Sequence, residues 1–483
     1  MGPINIGSRL ELMVDDYLIG RMTGGAALRL HRPTPREVVL VTDKPWEGNM
    51  CLGYGTVFHD GDLYRTYYQA WSCELTPGKY SDPHGIFIGY VESRDGVRWV
   101  RPDVGLVEFQ GSKKNNIVWA GEGPDFKGVH GFAPFKDANP DAKPEERYKA
   151  VGAQYDCAHG LYAMASPDGI HWRLTSNEPI ITRGAFDSQN LAFWDSVRGE
   201  YRAYVRDFHD GLRDIRTATS PDFVRWTDPE WLEYPGAPPE QLYTNHIMPY
   251  PRAPHLLVGF PTRYVERRWS PAIEALPELE HRRLRASVSE RYGAAVSDGL
   301  FMTSRDGRTF RRWGEAFIRP GLRPSGNWAY GDNYQHWGIV ETESDVPGAP
   351  RELSFYASEG YWRGTSTRLR RFTLRLDGFV SVEAPRSGGE MVTKPLVFEG
   401  GALVLNFSAS AAGSIRVEAL DARRDAPVKG FSLDDCVEVL GDDLERTVCW
   451  KGGSDVSRLA GRPVRLRFVM EDADLFALHF RGA

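Results

Sequence analysis

One short phrase recurs four times along the chain. Ser93-Arg94-Asp95-Gly96-Val97-Arg98-Trp99 is followed by Ser166-Pro167-Asp168-Gly169-Ile170-His171-Trp172. Ser220-Pro221-Asp222-Phe223-Val224-Arg225-Trp226 comes next, and Ser304-Arg305-Asp306-Gly307-Arg308-Thr309-Phe310 is the fourth. The shared pattern is Ser-x-Asp-Gly-x-x-aromatic, with Phe223 standing where the other copies have glycine. Each copy follows an apolar, strand-like run such as Gly85-Ile86-Phe87-Ile88-Gly89-Tyr90-Val91. In such a phrase Asp and Gly make a turn, the Ser and Asp side chains satisfy its amides, and the aromatic packs back under the sheet. A hairpin repeated at intervals of roughly 50–85 residues means a fold of successive antiparallel sheets, for which the blades of a propeller are the usual arrangement.

A chain of 483 residues has room for a large repeat domain and a smaller second one. Aromatic residues make up 12%, with 14 Trp and 21 Tyr. That richness suits packing between blades and equally suits a cleft that stacks on sugar rings. The net charge of −6 comes from interspersed charges of both signs, so no basic stripe supports nucleic-acid binding. No apolar run reaches the ~20 residues of a membrane span. The five cysteines, Cys51, Cys73, Cys157, Cys436 and Cys449, are odd in number and lack metal-site spacing, so they read as free thiols. The histidines show no His-x-x-x-His pattern, and no metal or cofactor is assigned. The start, Met1-Gly2-Pro3-Ile4-Asn5-Ile6-Gly7, lacks the basic and apolar regions of a secretion signal, which points to the cytoplasm.

The spacing predicts an all-β chain with a five-bladed propeller over about residues 20–385. Blade one begins with two strands over residues 55–71, joined at Asp60-Gly61. Blade two starts near Gly131, blade three at Asn190, blade four near Asn245 and blade five at His336, the last ending at Asp377-Gly378. The strand-like run over residues 9–19 is expected to help close a blade or to dock outside. Residues 269–291, rich in helix formers and charge, predict a short helical excursion that is a surface insertion or a lid. After Pro385 short alternating strands lacking the phrase predict a separate β-sandwich over residues 390–483.

In a propeller the innermost strands begin around a central funnel, so the residues just before them converge on one pocket. Those positions hold Trp46-Glu47, then His130, Asp187, Glu240 through His246, and Asp332 through His336. Glycoside cleavage needs one protonated and one ionised carboxyl group, and crowded acids keep one of them protonated. Asp187 and Glu240 are therefore the expected essential pair, with Glu240 as general acid and Glu47 as the alternative. Asp332, His246, His336, Asn245 and Arg206 are expected to bind substrate, as are Tyr243 and Trp46, which could stack on sugars together with Tyr334, Trp337 and Trp362. The four repeated phrases are expected to be structural and remote from the pocket.

Five blades with funnel carboxylates and a following β-sandwich resemble the five-bladed furanosidase-type glycoside hydrolases, the invertases, fructanases and arabinanases. In that family an Asp opens blade one, a second Asp stands in a middle blade and a Glu acid in the next. The resemblance implies that Asp187 matches the middle Asp and Glu240 the acid. Blade one offers Glu47 in place of the family's Trp-x-Asn-Asp-Pro phrase. The repeated phrase is also similar to the Asp box of six-bladed sialidases, but no sixth blade is legible. The expected function is hydrolysis of an oligosaccharide or glycoside; the alternatives are a non-catalytic carbohydrate-binding propeller and a phosphorylase or lyase on the same frame.

Overall fold

The computed structural model describes residues 2–323 and 327–482. The chain forms two compact units, one of residues 33–250 and 254–374, the other of residues 1–32, 251–253 and 375–483. The larger unit carries five four-stranded antiparallel sheets in sequence order. The first comprises Gly55–Asp60, Leu63–Ala70, Phe87–Ser93 and Ile117–Trp119. The second comprises His130–Lys136, Tyr148–Ala153, Leu161–Ser166 and Arg173–Leu174. The third is built from Leu191–Asp195, Glu200–His209, Leu212–Ser220 and Glu230–Trp231. The fourth uses Met248–Tyr250, Ala253–Gly259, Met302–Ser304 and Phe310–Arg312. The fifth takes Val340–Thr342, Glu352–Glu359 and Arg368–Arg375 and draws its outer strand, Thr34–Val41, from the start of the chain. That strand, rather than the run at 9–19, completes the fifth sheet.

The repeated phrase does more than close hairpins. In each copy the Asp Oδ1 accepts two backbone N–H groups, for example Ile170 at 2.8 Å and His171 at 2.9 Å for Asp168. The glycine carbonyl then accepts a tyrosine hydroxyl from another sheet. Tyr67 of the first sheet reaches Gly169 O of the second at 2.9 Å, and Tyr204 of the third reaches Gly307 O of the fourth at 2.8 Å. Tyr356 of the fifth reaches Gly96 O of the first at 2.6 Å. The glycines have φ of 74–84°, and a Cβ on Gly169 would stand 2.7 Å from the Tyr67 hydroxyl. The pairing registers put Val151 of the second sheet where Tyr67 and Tyr204 stand in theirs, three residues after the partner of the phrase's serine. With no tyrosine there, the third copy tolerates Phe223, which is buried against Phe135 and Tyr201 despite φ of 66°.

The first strands of the sheets meet through buried neutral groups. Gln189 of the third sheet's approach donates to Thr56 Oγ1 at 3.1 Å and to Phe132 O at 3.3 Å, and its Oε1 faces His246 Nε2 at 3.0 Å. Trp337 N donates to Gly55 O, and Val57 N to Trp337 O, both at 2.8 Å. One amide thus joins strands of two other sheets and the segment leading into the fourth, which brings these sheets together at one place.

The smaller unit is organised by one eleven-stranded sheet whose two longest strands, Ala402–Asp421 and Val464–Arg481, pair along most of their length. The N-terminal strands Ile4–Gly7, Glu11–Leu12, Ile19–Thr23 and Ala27–Leu30 join this sheet. The expected boundaries at 20 and 385–390 therefore shift to 32/33 and 374/375. The cause is non-local pairing, such as Ile19 opposite Thr393 and Leu28 opposite Val382. Its core gathers Met391, Phe407, Val417, Phe468 and Leu475, all buried. Among the described residues no helix is long and apolar enough to cross a membrane.

Candidate active site

A cavity of about 310 Å³ opens in the larger unit, lined by eight tyrosines and two tryptophans together with Asp82, Asp156, Asp187, His130, Cys157, Gln69 and Arg291. Such a wall of flat, amphipathic rings buries the apolar face of a sugar and offers hydroxyls to its polar edge. Burial holds the phenols of Tyr54, Tyr243, Tyr334 and Tyr361 well above the ordinary tyrosine value, so they remain neutral donors. The Tyr243 and Tyr330 hydroxyls lie 3.1 Å apart. Trp71 Nε1, Trp362 Nε1, Tyr334 Oη and Asp82 Oδ1 are buried with no partner among the described residues. A cluster of unpaired polar atoms on one cavity calls for a partner brought by a ligand.

Two insertions build part of this wall. The hairpin Glu74–Thr76 with Lys79–Ser81 lies between strands of the first sheet and leads into Asp82. The predicted helical excursion forms α1 (Pro271–Glu274), α2 (Leu279–Val288) and α3 (Glu290–Ala294). Its Pro271 starts α1 behind Ser270, whose hydroxyl accepts from Ile273 N at 3.4 Å. The two insertions touch where Gly78 N donates to Ser287 Oγ at 2.8 Å. Arg285 of α2 is fully buried and donates to Tyr330 O at 2.8 Å and Tyr361 O at 3.3 Å. The excursion thereby delivers Arg291 and Tyr292 to the cavity, and it is a structural wall rather than a bare surface insertion.

Of the residues expected to act, Asp187 and Tyr243 line the cavity, as do the stacking candidates Tyr334 and Trp362. Asp187 is 54% exposed, and its Oδ1 stands 3.6 Å from His130 Nε2. Glu240, expected to pair with Asp187, is not among the described residues that line the cavity. Its carboxylate is held by Arg263 at 2.8 Å and by Arg312, one on each oxygen. Glu47 is also elsewhere. Its fully buried carboxylate accepts from Arg101 at 2.9 and 3.1 Å, from Lys44 N at 3.0 Å and from the Tyr68 hydroxyl.

Asp332 is a strut. Its Oδ1 accepts from Gly360 N at 2.8 Å and Tyr361 N at 2.9 Å, with Arg363 3.3 Å from Oδ2, which fixes the turn carrying Tyr361 and Trp362. Burial nevertheless raises its pKa above the ordinary aspartate value. His246 and His336 are fully buried, and burial pushes both down to about 3. They are neutral packing groups of the convergent core. Asn245 donates to Tyr204 O at 3.3 Å and is likewise buried. Arg206 bonds Ala185 O at 2.9 Å and lies against the Tyr243 ring, so it supports the cavity from behind. Trp46 donates to Asn116 at 2.8 Å and Trp337 to Ile247 O at 3.0 Å, both outside the lining.

The sequence reading missed Asp82, Tyr155, Cys157 and Arg291. Asp82 accepts the Tyr155 hydroxyl at 2.5 Å. Asp156 is engaged by its own turn, accepting from Gln154 at 2.6 Å and Ala158 N at 2.9 Å. Cys157 lies within ligand distance of His130 and Asp187, three residues from separate segments. Their signal was the length of the loops between strands, where binding groups concentrate.

No family model and no curated protein matches the chain. Its structure is similar to solved structures at low identity. One, described as a glycoside hydrolase, is 13% identical with a TM-score of 0.42, over 70% of this chain and 92% of the other. A second is described by a family of mannoside phosphorylases containing glycoside hydrolases that target β-1,2 mannosidic linkages in Candida mannan. It is 14% identical at TM-score 0.41, covering 75% and 96%. A fructofuranosidase from Schwanniomyces occidentalis, complexed with fructosylnystose, is 12% identical at TM-score 0.37 over 99% of both chains.

Proposed function

We propose that the protein is a carbohydrate-active enzyme, a glycoside hydrolase built on a five-bladed propeller. The five four-stranded sheets, the tyrosine contacts running from first to second, third to fourth and fifth to first, and the convergent Gln189 support the propeller. The eleven-stranded sheet of the smaller unit is read as the accompanying sandwich. One observation carries the function: an aromatic-walled cavity holding carboxylates on separate segments, with unpaired polar atoms in its wall. Asp187, exposed to the cavity, serves as the ionised partner. Asp82 serves as proton donor, one oxygen fixed by Tyr155 and the other, Oδ1, with no partner among the described residues. Stacking on the tyrosines and Trp362 orients the sugar, and the neutral phenols bind its hydroxyls.

The test is a screen of aryl glycosides and oligosaccharides, followed by Asp187→Asn and Asp82→Asn on the best substrate. Each is expected to lower turnover by ~10²–10⁴ with the fold intact. Saturable sugar binding with no turnover of any substrate would leave a binding module and overturn the enzyme reading. Turnover that depends on inorganic phosphate would make it a phosphorylase.

A further inference from the structure

We propose that His130, Cys157 and Asp187 together bind a thiophilic divalent cation such as zinc on the cavity wall. The three come from different places. His130 opens the first strand of the second sheet, Cys157 follows the second strand of that sheet, and Asp187 precedes the third sheet. One ligand atom from each lies within 4.8 Å of the other two. A tetrahedral zinc with bonds of ~2.0–2.3 Å sets its ligand atoms ~3.3–3.8 Å apart. The 3.6 Å between His130 Nε2 and Asp187 Oδ1 already fits, and the thiol needs to move inward by roughly 1 Å at most.

The fold leaves these atoms available. His130 is 4% exposed, and Nε2 is the ring nitrogen that faces Asp187 Oδ1. Cys157 Sγ makes a weak contact, 3.8 Å from Tyr155 O. An imidazole, a thiolate and a carboxylate form the mixed nitrogen, sulfur and oxygen set that favours zinc over magnesium or calcium. Two anionic ligands balance the ion's charge, and Arg206, the neighbouring cation, is already tied to Ala185 O and the Tyr243 ring. Three protein ligands leave a fourth position, here on the sugar-sized cavity, where a sugar hydroxyl can bind. Asp187 Oδ2 stays available to the substrate. The inference rests on reading that cavity as the sugar site.

The experiment uses the full chain, stripped with a chelator and titrated with Co²⁺ by absorbance and with Zn²⁺ by calorimetry. About one equivalent should bind with Kd at or below ~1 μM, and cobalt should show a thiolate-to-metal band in the near ultraviolet. Cys157→Ser should abolish that band and weaken zinc binding at least ~10-fold, and His130→Asn should weaken it similarly. Cys449→Ser, on the other unit, should change neither. Circular dichroism of the stripped variants checks folding, and Cys157→Ala serves if the serine variant misfolds. Absence of the band, or a band that survives loss of Cys157, overturns the proposal. Metal binding without glycoside turnover would keep this site and sink the hydrolase reading; turnover without metal binding would do the reverse.

Discussion

Phe223 offers the sharpest test of how the sheets are fitted together. Its ring is buried at 3% exposure, yet its backbone has φ of 66°, a conformation that glycine adopts without strain. Phe223→Gly should relieve ~1–2 kcal/mol of backbone strain but lose ~3–5 kcal/mol of packing, as truncating a buried phenylalanine does. A net loss of about 1–4 kcal/mol is expected. Val151→Tyr alone adds a ring where Phe223 already sits and should cost ~1–3 kcal/mol or more by overpacking. The double variant recreates the arrangement of Tyr67 with Gly169 and regains a buried hydrogen bond worth ~1 kcal/mol. It should be more stable than the sum of the single changes by at least ~1.5 kcal/mol. The assay is a double-mutant cycle from urea unfolding followed by tryptophan fluorescence. Additivity within ~0.5 kcal/mol would refute the claim that Val151 and Phe223 replace the tyrosine–glycine pair.

Glu240→Gln should leave turnover per folded molecule nearly unchanged while lowering stability by ~1–3 kcal/mol, since Arg312 loses its anion and Arg263 keeps only Asp298; a ~100-fold loss of kcat at unchanged melting temperature would return Glu240 to the mechanism. Glu47→Gln should be more costly, about 3–5 kcal/mol, because its carboxylate is fully buried against Arg101, and thermal melts will show it. His246 and His336 titrate near 3 when folded and near the ordinary 6.5 when unfolded. The unfolded chain therefore takes up more protons below pH 6.5, and stability falls as pH drops from 6.5 towards 3. Between pH 7.5 and 5.5 the pair should remove roughly 2–3 kcal/mol, read as a shift in urea midpoint, and a flat midpoint over that range would contradict their burial. At lower pH the turn carboxylates add to this: turn hydrogen bonds outweigh burial at Asp95 and hold it down to about 2, so its stabilising contribution disappears as pH falls from ~4 through 2.

The larger unit was legible because its information is local. A strand, an Asp-Gly turn and a packed aromatic are fixed by residues within a few positions, and four copies of the phrase marked four of the antiparallel hairpins. The helical excursion was legible for the same reason, from its own composition and Pro271 after Ser270. The funnel carboxylates were not. Whether Glu47, Glu240 or Asp332 faces a substrate depends on whether an arginine reaches it, and Arg101, Arg312 and Arg363 lie 54, 72 and 31 residues away. The same distance in sequence hid the fifth sheet's outer strand, which pairs residues 34–41 with residues 368–373.

By itself, then, the sequence determined the repeating antiparallel hairpins and the inserted helices, because local sterics and turn hydrogen bonding set each of them. Only the tertiary structure decided which acids are neutralised by ion pairs and which stay exposed. It alone brought Cys157 beside His130 and Asp187, and gave the N-terminal strands to the smaller unit. Electrostatic partners and ligand clusters are set by distances in space, which chain spacing does not encode when loops of different length bring separate sheets to one cavity.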